Sequence, residues 1–269
     1  MKNIYFAAVA LISMSAAAHA HDTWVETNTN VFRVGDSAHI DLKLGNHGNE
    51  HRDFKLASKL SLEGCKMEVV DPGGKHFDVK SALIDTGYTP KEGYWTTSFA
   101  ADKAGLYTVF QTSDAVMTYA PERSIKTAKT FFLVSKSLDR VPADAPGFER
   151  KLGNGLELVP ESNPVTPMGP GMPLKLRLYF KGKPLANAKI SFIPEGETLK
   201  GDFDARYEAK TNVNGRASFT PKEGNRYLAV AHVETKENGQ DASGQKYDFT
   251  KYGATLSVYV PQICPCCGG

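Results

Sequence analysis

The chemistry this sequence can offer sits in its histidines and cysteines, and the first of them is defined by a cut. Ala18-His19-Ala20 places small residues at the two positions a signal peptidase reads, so cleavage there makes His21 the first residue of the mature chain. A terminal histidine presents two nitrogens to one ion, the α-amine and ring Nδ1, which together close a six-membered chelate. The amine's reference pKa is about 7.7–8.0, so a metal displaces its proton near neutral pH at modest cost. Imidazole suits copper, nickel and zinc, and a third nitrogen from a distant histidine would complete a T-shaped brace. His47 is the first choice for that nitrogen and His51, four residues on, is the second. Both lie in Gly45-Asn46-His47-Gly48-Asn49-Glu50-His51, a Gly/Asn loop directly after a strand. Such a loop can bring imidazoles to an ion without burying backbone groups; a solvated polar loop is the competing reading. His232, in Ala229-Val230-Ala231-His232-Val233-Glu234, shares a face with Val230 and Glu234, and reads either as a satisfied interface histidine or as a further ligand. His39 alternates with Asp41 and Lys43 on a solvent face, and His76 sits beside a turn.

A second set of donors closes the chain. Cys264, Cys266 and Cys267 form a C-P-C-C tail within the last six residues. Bridges there would close almost no chain, so they staple no fold. Thiolates are soft ligands for copper(I) or zinc, and two or three of these sulfurs can reach one ion. Outside the cytoplasm such thiols also oxidise, which leaves metal capture and a disulfide or tethering role both open. Cys65 reads as a small buried residue or as a partner for the odd tail cysteine.

Enzyme signatures are absent from the sequence: there is no G-x-S-x-G, no H-E-x-x-H and no Gly-rich phosphate loop. Copper oxygen chemistry at a histidine brace is the enzymatic reading that survives. A polysaccharide-active oxidase would need a broad aromatic face, however, and the chain has two tryptophans, Trp24 and Trp95. Trp24 lies so near His21 that it is expected to pack over the metal site.

The elements that must position these groups are strands. Lys2 and the apolar run 4–15 read as a signal peptide over 1–20. The run is too short for a hydrocarbon core, which takes about 20 apolar residues. No later segment is long and apolar enough to span, so a soluble periplasmic or secreted protein is expected. Lys2 aside, 31 Lys and Arg face 30 Asp and Glu. That balance gives no electrostatic case for nucleic acid or an anionic membrane as a partner. Period-two alternation over 32–35, 38–44, 66–70, 95–101, 106–112 and 130–134, separated by turn residues, predicts an N-terminal β-sandwich domain over 21–135. Within it, 102–105 reads as a hairpin turn, and 115–128 and 53–60 as short helices or irregular loops. Residues 136–152, with two prolines and little apolar patterning, read as a linker. Strand signals resume over 156–159, 174–180, 188–193, 211–219, 227–235 and 255–260, predicting a second sandwich over 153–260 before the 261–269 tail. The fold class is therefore all-β, with two tandem Ig-like or transthyretin-like sandwiches. Gly182-Lys183-Pro184-Leu185-Ala186-Asn187-Ala188 followed by Thr211-Asn212-Val213-Asn214-Gly215-Arg216 resembles the signature of transthyretin-like modules, with Asn212 where they usually place Asp. That pattern marks a fold and no activity.

In order along the chain, His21-Asp22-Thr23-Trp24, Gly45-Asn46-His47, Gly155-Leu156-Glu157-Leu158-Val159-Pro160, Gly182-Lys183-Pro184-Leu185-Ala186 and Tyr252-Gly253-Ala254-Thr255-Leu256 resemble the NikM-like family. Its members are of formally unknown function and are grouped with periplasmic components of nickel and cobalt uptake. The resemblance implies a periplasmic protein with an N-terminal metal site, carried onto His21 and His47, and brings no demonstrated catalysis with it. The C-P-C-C tail departs from the family and suggests a softer metal such as copper.

The expectation is thus a periplasmic transition-metal-binding protein, taking nickel, cobalt or copper through His21 with His47, His51, His232 or the tail cysteines as further donors. It would capture or buffer the metal, or deliver it to a membrane transporter. The alternative is an adhesion or carbohydrate-binding module that needs no metal.

Overall fold

The computed structural model describes residues 21–47, 62–87, 92–153 and 155–263. In chain order its strands are β1 (Asp22–Thr27), β2 (Val31–Arg33), β3 (Ser37–Gly45), β4 (Cys65–Val70), β5 (His76–Asp78), β6 (Ile84–Asp85), β7 (Trp95–Ala100), β8 (Gly105–Val116) and β9 (Glu122–Ser135). There follow β10 (Leu156–Pro160), β11 (Leu174–Phe180), β12 (Lys183–Pro184), β13 (Lys189–Pro194), β14 (Glu208–Lys210), β15 (Arg216–Phe219), β16 (Asn225–Thr235), β17 (Gly239–Gln240), β18 (Lys246–Tyr247) and β19 (Phe249–Val260). The predicted all-β sandwich class holds among the described residues, where a single 3-10 turn at Lys80–Ala82 interrupts the strands.

Alternation explains the pattern strand by strand. In β3, Ala38, Ile40, Leu42 and Leu44 are buried while Ser37 and His39 are exposed, as period two requires when one face meets a core. β9 goes further, since it is buried on both faces from Thr127 onward. Its Phe131 and Leu133 join one core while Phe132 and Val134 join another.

That strand shows how the sandwiches are assembled. A nine-stranded sheet runs β14-β13-β16-β19-β9-β8-β4-β5, with β2 also on β9. β9 and β19, from opposite sides of the 136–152 segment, are parallel neighbours from Phe249–Glu122 to Ser257–Thr130. The four-stranded sheet β1-β3-β7-β6 covers one face of this sheet through Ile40, Leu42, Met67, Tyr107 and Phe132. β10-β11-β12, with β15 also on β11, covers the other face through Leu158, Leu176, Phe192, Ala229 and Leu256. The two sandwiches therefore share their central layer, so the chain divides at 136–152 and the hydrogen-bonded sheet does not.

The 136–152 segment is also tied down. Val141 and Ala145 are buried in the core beneath β10, and the Arg150 guanidinium donates to the carbonyls of Asp71 at 2.8 Å and Pro72 at 3.0 Å. The buried Lys129 of β9 pairs with the buried Glu157 of β10 and also donates to the Arg150 carbonyl at 2.9 Å. A second charge and a backbone acceptor make a buried ammonium tolerable.

Two local expectations are corrected. Residues 115–128 hold no helix: 115–116 end β8, and β9 begins at Glu122, its stretch from Glu122 to Thr130 paired with β19. The turn 102–105 does not close a hairpin, because β7 pairs with β3 and β6 while β8 pairs with β4 and β9. The chain instead crosses from one layer to the other there, and at Gly105 (φ 135°) a Cβ would fall 2.6 Å from Pro72 Cγ. Residues 53–60 lie outside the described residues.

The transthyretin-like turn forms with Asn212 in the Asp position. Its Oδ1 accepts from the amides of Asn214 at 2.9 Å and Arg216 at 3.0 Å. Gly215, at φ 74°, brings its Cα so near β11 that a Cβ would lie 2.7 Å from the Leu178 carbonyl oxygen, an approach only glycine permits.

Candidate metal centre

Strand β1 brings His21 and Asp22 against the long sheet, beside Lys126 of β9 and His232 of β16. It is an edge strand antiparallel to β3, with Asp22 opposite Gly45 and Thr27 opposite Ile40. The residues just beyond that pair, His21 on one strand and Asn46 and His47 on the other, emerge at the same end. The face of β1 carrying Asp22, Trp24 and Glu26 lies on the face of β16 carrying His232, Val230, Leu228 and Arg226.

Each step of that contact is distinct. Trp24 is 1% exposed and packs with Ile193, Leu228 and Val230. Its indole N–H donates to Glu26 Oε2 at 3.1 Å. Glu26 meets Lys43 at 2.7 Å and Arg226 at 3.5 Å. Burial works against the Glu26 carboxylate, but Arg226 and Lys43 outweigh it and hold its pKa below the ordinary value. Side chains also seat the backbone of β1: Lys126 Nζ donates to the His21 carbonyl at 3.0 Å, Thr255 Oγ1 to Thr23 at 2.8 Å and Arg226 to Thr27 at 3.2 Å.

His47 lies against this assembly, 1% exposed and at φ 60°. Its ring meets the Trp24 ring edge to face, with centroids 5.5 Å apart and planes at 87°. Nδ1 lies 2.9 Å from the Ile193 carbonyl oxygen. That oxygen can only accept, so Nδ1 carries the proton and the neutral ring presents a lone pair at Nε2. Nε2 is buried and has no hydrogen-bond partner among the described residues. Burial lowers the His47 pKa to about 4, against the opposing pull of the Ile193 carbonyl and Glu26. The imidazole is therefore neutral, held in one tautomer and oriented. Metal-bound histidines are commonly held in this way, with the second ring N–H on a carbonyl or carboxylate.

His232 differs. Its side chain is 51% exposed and its Nε2 lies 2.7 Å from Asp22 Oδ1. The Asp22 charge raises its pKa, with burial opposing. His21 itself is half-buried beside this pair. His39 is exposed on β3 as expected, and His76 is exposed with Nδ1 at 3.0 Å from Glu68. Cys65 is a buried free thiol whose Sγ accepts from Gln111 at 3.4 Å. His51, Cys264, Cys266 and Cys267 lie outside the described residues, as does the 1–20 segment. Among the described residues, no three His, Cys, Asp or Glu side chains gather as a ready set of ligands. His47 thus fits a metal as a single preset donor, and its companions would come from the His21 terminus or from His51 and the tail.

Sequence reasoning missed Asp22, Glu26, Lys126, Ile193 and Gly253 as neighbours of the site. Asp22 and Glu26 carried a signal, since both alternate with Trp24 on the strand that follows His21; Lys126, Ile193 and Gly253 reach the site from strands far along the chain.

Fold and site define an all-β protein of two sandwiches sharing a sheet, with an oriented histidine beside β1 whose Nε2 has no hydrogen-bond partner among the described residues. Residues 18–235 match the domain of unknown function DUF4198, and the chain belongs to that family. The match links it to nickel or cobalt uptake components in no specific way. No curated protein matches the chain. Among solved structures, it is similar to a DUF4785 family protein from Legionella pneumophila, at 13% identity and a TM-score of 0.28, over 87% of this chain and 56% of that one. It is also similar to the D0-D1 domain of intimin, at 13% identity and a TM-score of 0.24, over 88% of this chain and 97% of that one. The adhesin InvE of Yersinia pseudotuberculosis is similar at 13% identity and a TM-score of 0.19, over 88% of this chain and 58% of that one. Nothing about this chain's activity follows from overlaps of that size. Among the described residues no helix is long and apolar enough to cross a membrane.

Proposed function

We propose that this is an exported protein that binds one transition-metal ion where its mature N-terminus meets His47, and that it captures or buffers the metal or passes it to a membrane transporter. The observation that carries the reading is the buried His47 ring, anchored through Nδ1 on Ile193 and without a partner at Nε2 among the described residues. A buried acceptor without a partner costs about 1–3 kcal/mol, and a bound ion would repay that cost. The His21 amine and imidazole would supply the chelate on the neighbouring strand end, with His51 or the tail thiols as further donors. Nickel, cobalt and copper all suit such nitrogen donors, and copper binds most tightly in the general affinity order. Non-enzymatic adhesion or carbohydrate binding is the second reading, favoured by the all-β sandwich architecture alone; a glycan array run with metal-stripped protein tests it.

The metal reading is tested on protein matured by its own export route. Mass spectrometry should find His21 first, and metal analysis should find about one equivalent of nickel, cobalt or copper. His47→Ala and His21→Ala should each lower that equivalent toward zero. A mature chain that starts elsewhere, or a stoichiometry that neither substitution changes, overturns the reading.

A further inference from the structure

His232, Gly253 and Lys126 form one row across three strands, since His232 of β16 pairs with Gly253 of β19, which pairs with Lys126 of β9. The glycine leaves a notch between the two long side chains. A Cβ at Gly253 would lie 3.7 Å from His232 Cδ2 and 3.8 Å from Lys126 Cγ. The first two residues of the mature chain sit at this notch: Asp22 Oδ1 is 2.7 Å from His232 Nε2, and the His21 carbonyl accepts from Lys126 Nζ at 3.0 Å. One contact holds a side chain and the other holds backbone, so together they fix both the place and the direction of the terminus.

We infer that Asp22, His232 and Lys126 form a socket that seats the mature N-terminus, and that they act as positioning residues for the His21 donors. The seating stands on the geometry alone; the positioning role rests on the metal reading above. An unseated terminus would have to be ordered at the moment the ion binds, and that entropy would be subtracted from affinity. Strand-borne supports on a shared sheet remove that penalty in advance.

The test uses the mature protein beginning at His21, with His232→Ala, His232→Gln and Lys126→Met variants. Glutamine keeps an N–H donor for Asp22, so it should behave nearly as histidine does. In metal-free protein, an aminopeptidase should trim the terminus slowly in the parent and the Gln variant, and at least about tenfold faster in the Ala and Met variants. Titration with nickel(II) and copper(II) should show affinity about tenfold weaker in those same two variants, the scale expected for outer-shell partners, and recovered in the Gln variant. Equal trimming rates overturn the socket. Faster trimming with unchanged affinity overturns the positioning role. A parent that binds neither ion sinks the metal reading, while the trimming rates still decide the socket.

Discussion

His47 and His232 both lie against β1, one beside Trp24 and the other beside Asp22, and they are opposite in almost every physical respect. His47 is buried, its Nδ1 donates to a backbone carbonyl, and its Nε2 has no partner among the described residues. His232 is half exposed and its Nε2 is held by a carboxylate. The one looks like a core histidine and the other like an accessible ligand, yet hydrogen-bonding capacity points the other way. The nitrogen that is both buried and without a hydrogen-bond partner among the described residues is on His47, so a buried unfilled acceptor, rather than exposure, marks the candidate donor.

The comparison depends on β1 being seated as described, and the largest effect should come from removing its anchor. Trp24→Ala empties a nearly fully buried site against Ile193, Leu228 and Val230, for a loss of about 3–5 kcal/mol. It also takes the indole donor from Glu26. Urea unfolding of metal-free protein measures this, and a loss under about 1 kcal/mol would break the comparison at its base. The next effect belongs to His47. Its folded pKa is near 4, against about 6.5 for a histidine in an unfolded chain. Below about pH 6.5 the unfolded chain takes up a proton that the folded site refuses. Metal-free stability should therefore fall as pH drops from about 6.5 to about 4, by roughly 3 kcal/mol from this residue. A His47→Gln variant should lose that part of the slope; an unchanged slope would show that the ring is not buried.

The strand pattern around these histidines was legible because alternation is local: Ala38, Ile40, Leu42 and Leu44 announce a one-sided strand wherever it lies. His47 was legible only as a candidate donor, a histidine in a Gly/Asn stretch just past such a strand; its burial was not. What could not be read were pairings between distant segments. β9 begins with Glu122, Arg123 and Ser124, polar residues with no apolar rhythm, and it is a strand there because β8 pairs with one edge from Arg123 onward and β19, more than 120 residues later, with the other. The Asp102 to Gly105 turn has the composition of a hairpin turn and of a layer crossing alike, so only the partners of β7 and β8 separate the two. The Trp24 ring packs edge to face on His47, a contact that neither residue's local sequence announces. The carbonyl of Ile193, which sets the tautomer of His47, is 146 residues away and belongs to a strand whose own sequence gives no hint of it.

The smallest effect is the most discriminating. His232→Ala breaks an ion pair whose histidine is half in water, so the loss of stability should be no more than about 1 kcal/mol. Its sign with pH is fixed by Asp22, which raises the folded pKa of His232. A raised value means the charged ring is favoured by folding. The pair's contribution is then fully present below the unfolded pKa of about 6.5 and fades as pH rises through the folded value. Lys126, whose ammonium faces the same terminus and opposes a charged His232, trims the effect without reversing it. Melting temperatures of the parent and His232→Ala proteins, compared without metal at about pH 5.5 and about pH 8.5, should differ more at the acid end. His47 acts in the reverse sense, losing stability toward acid. The two histidines thus contribute slopes of opposite sign to one pH profile. A His232→Ala difference that grew toward alkaline pH would mean the pair is held by the neutral ring, and the contrast between the two sites would then rest on burial alone.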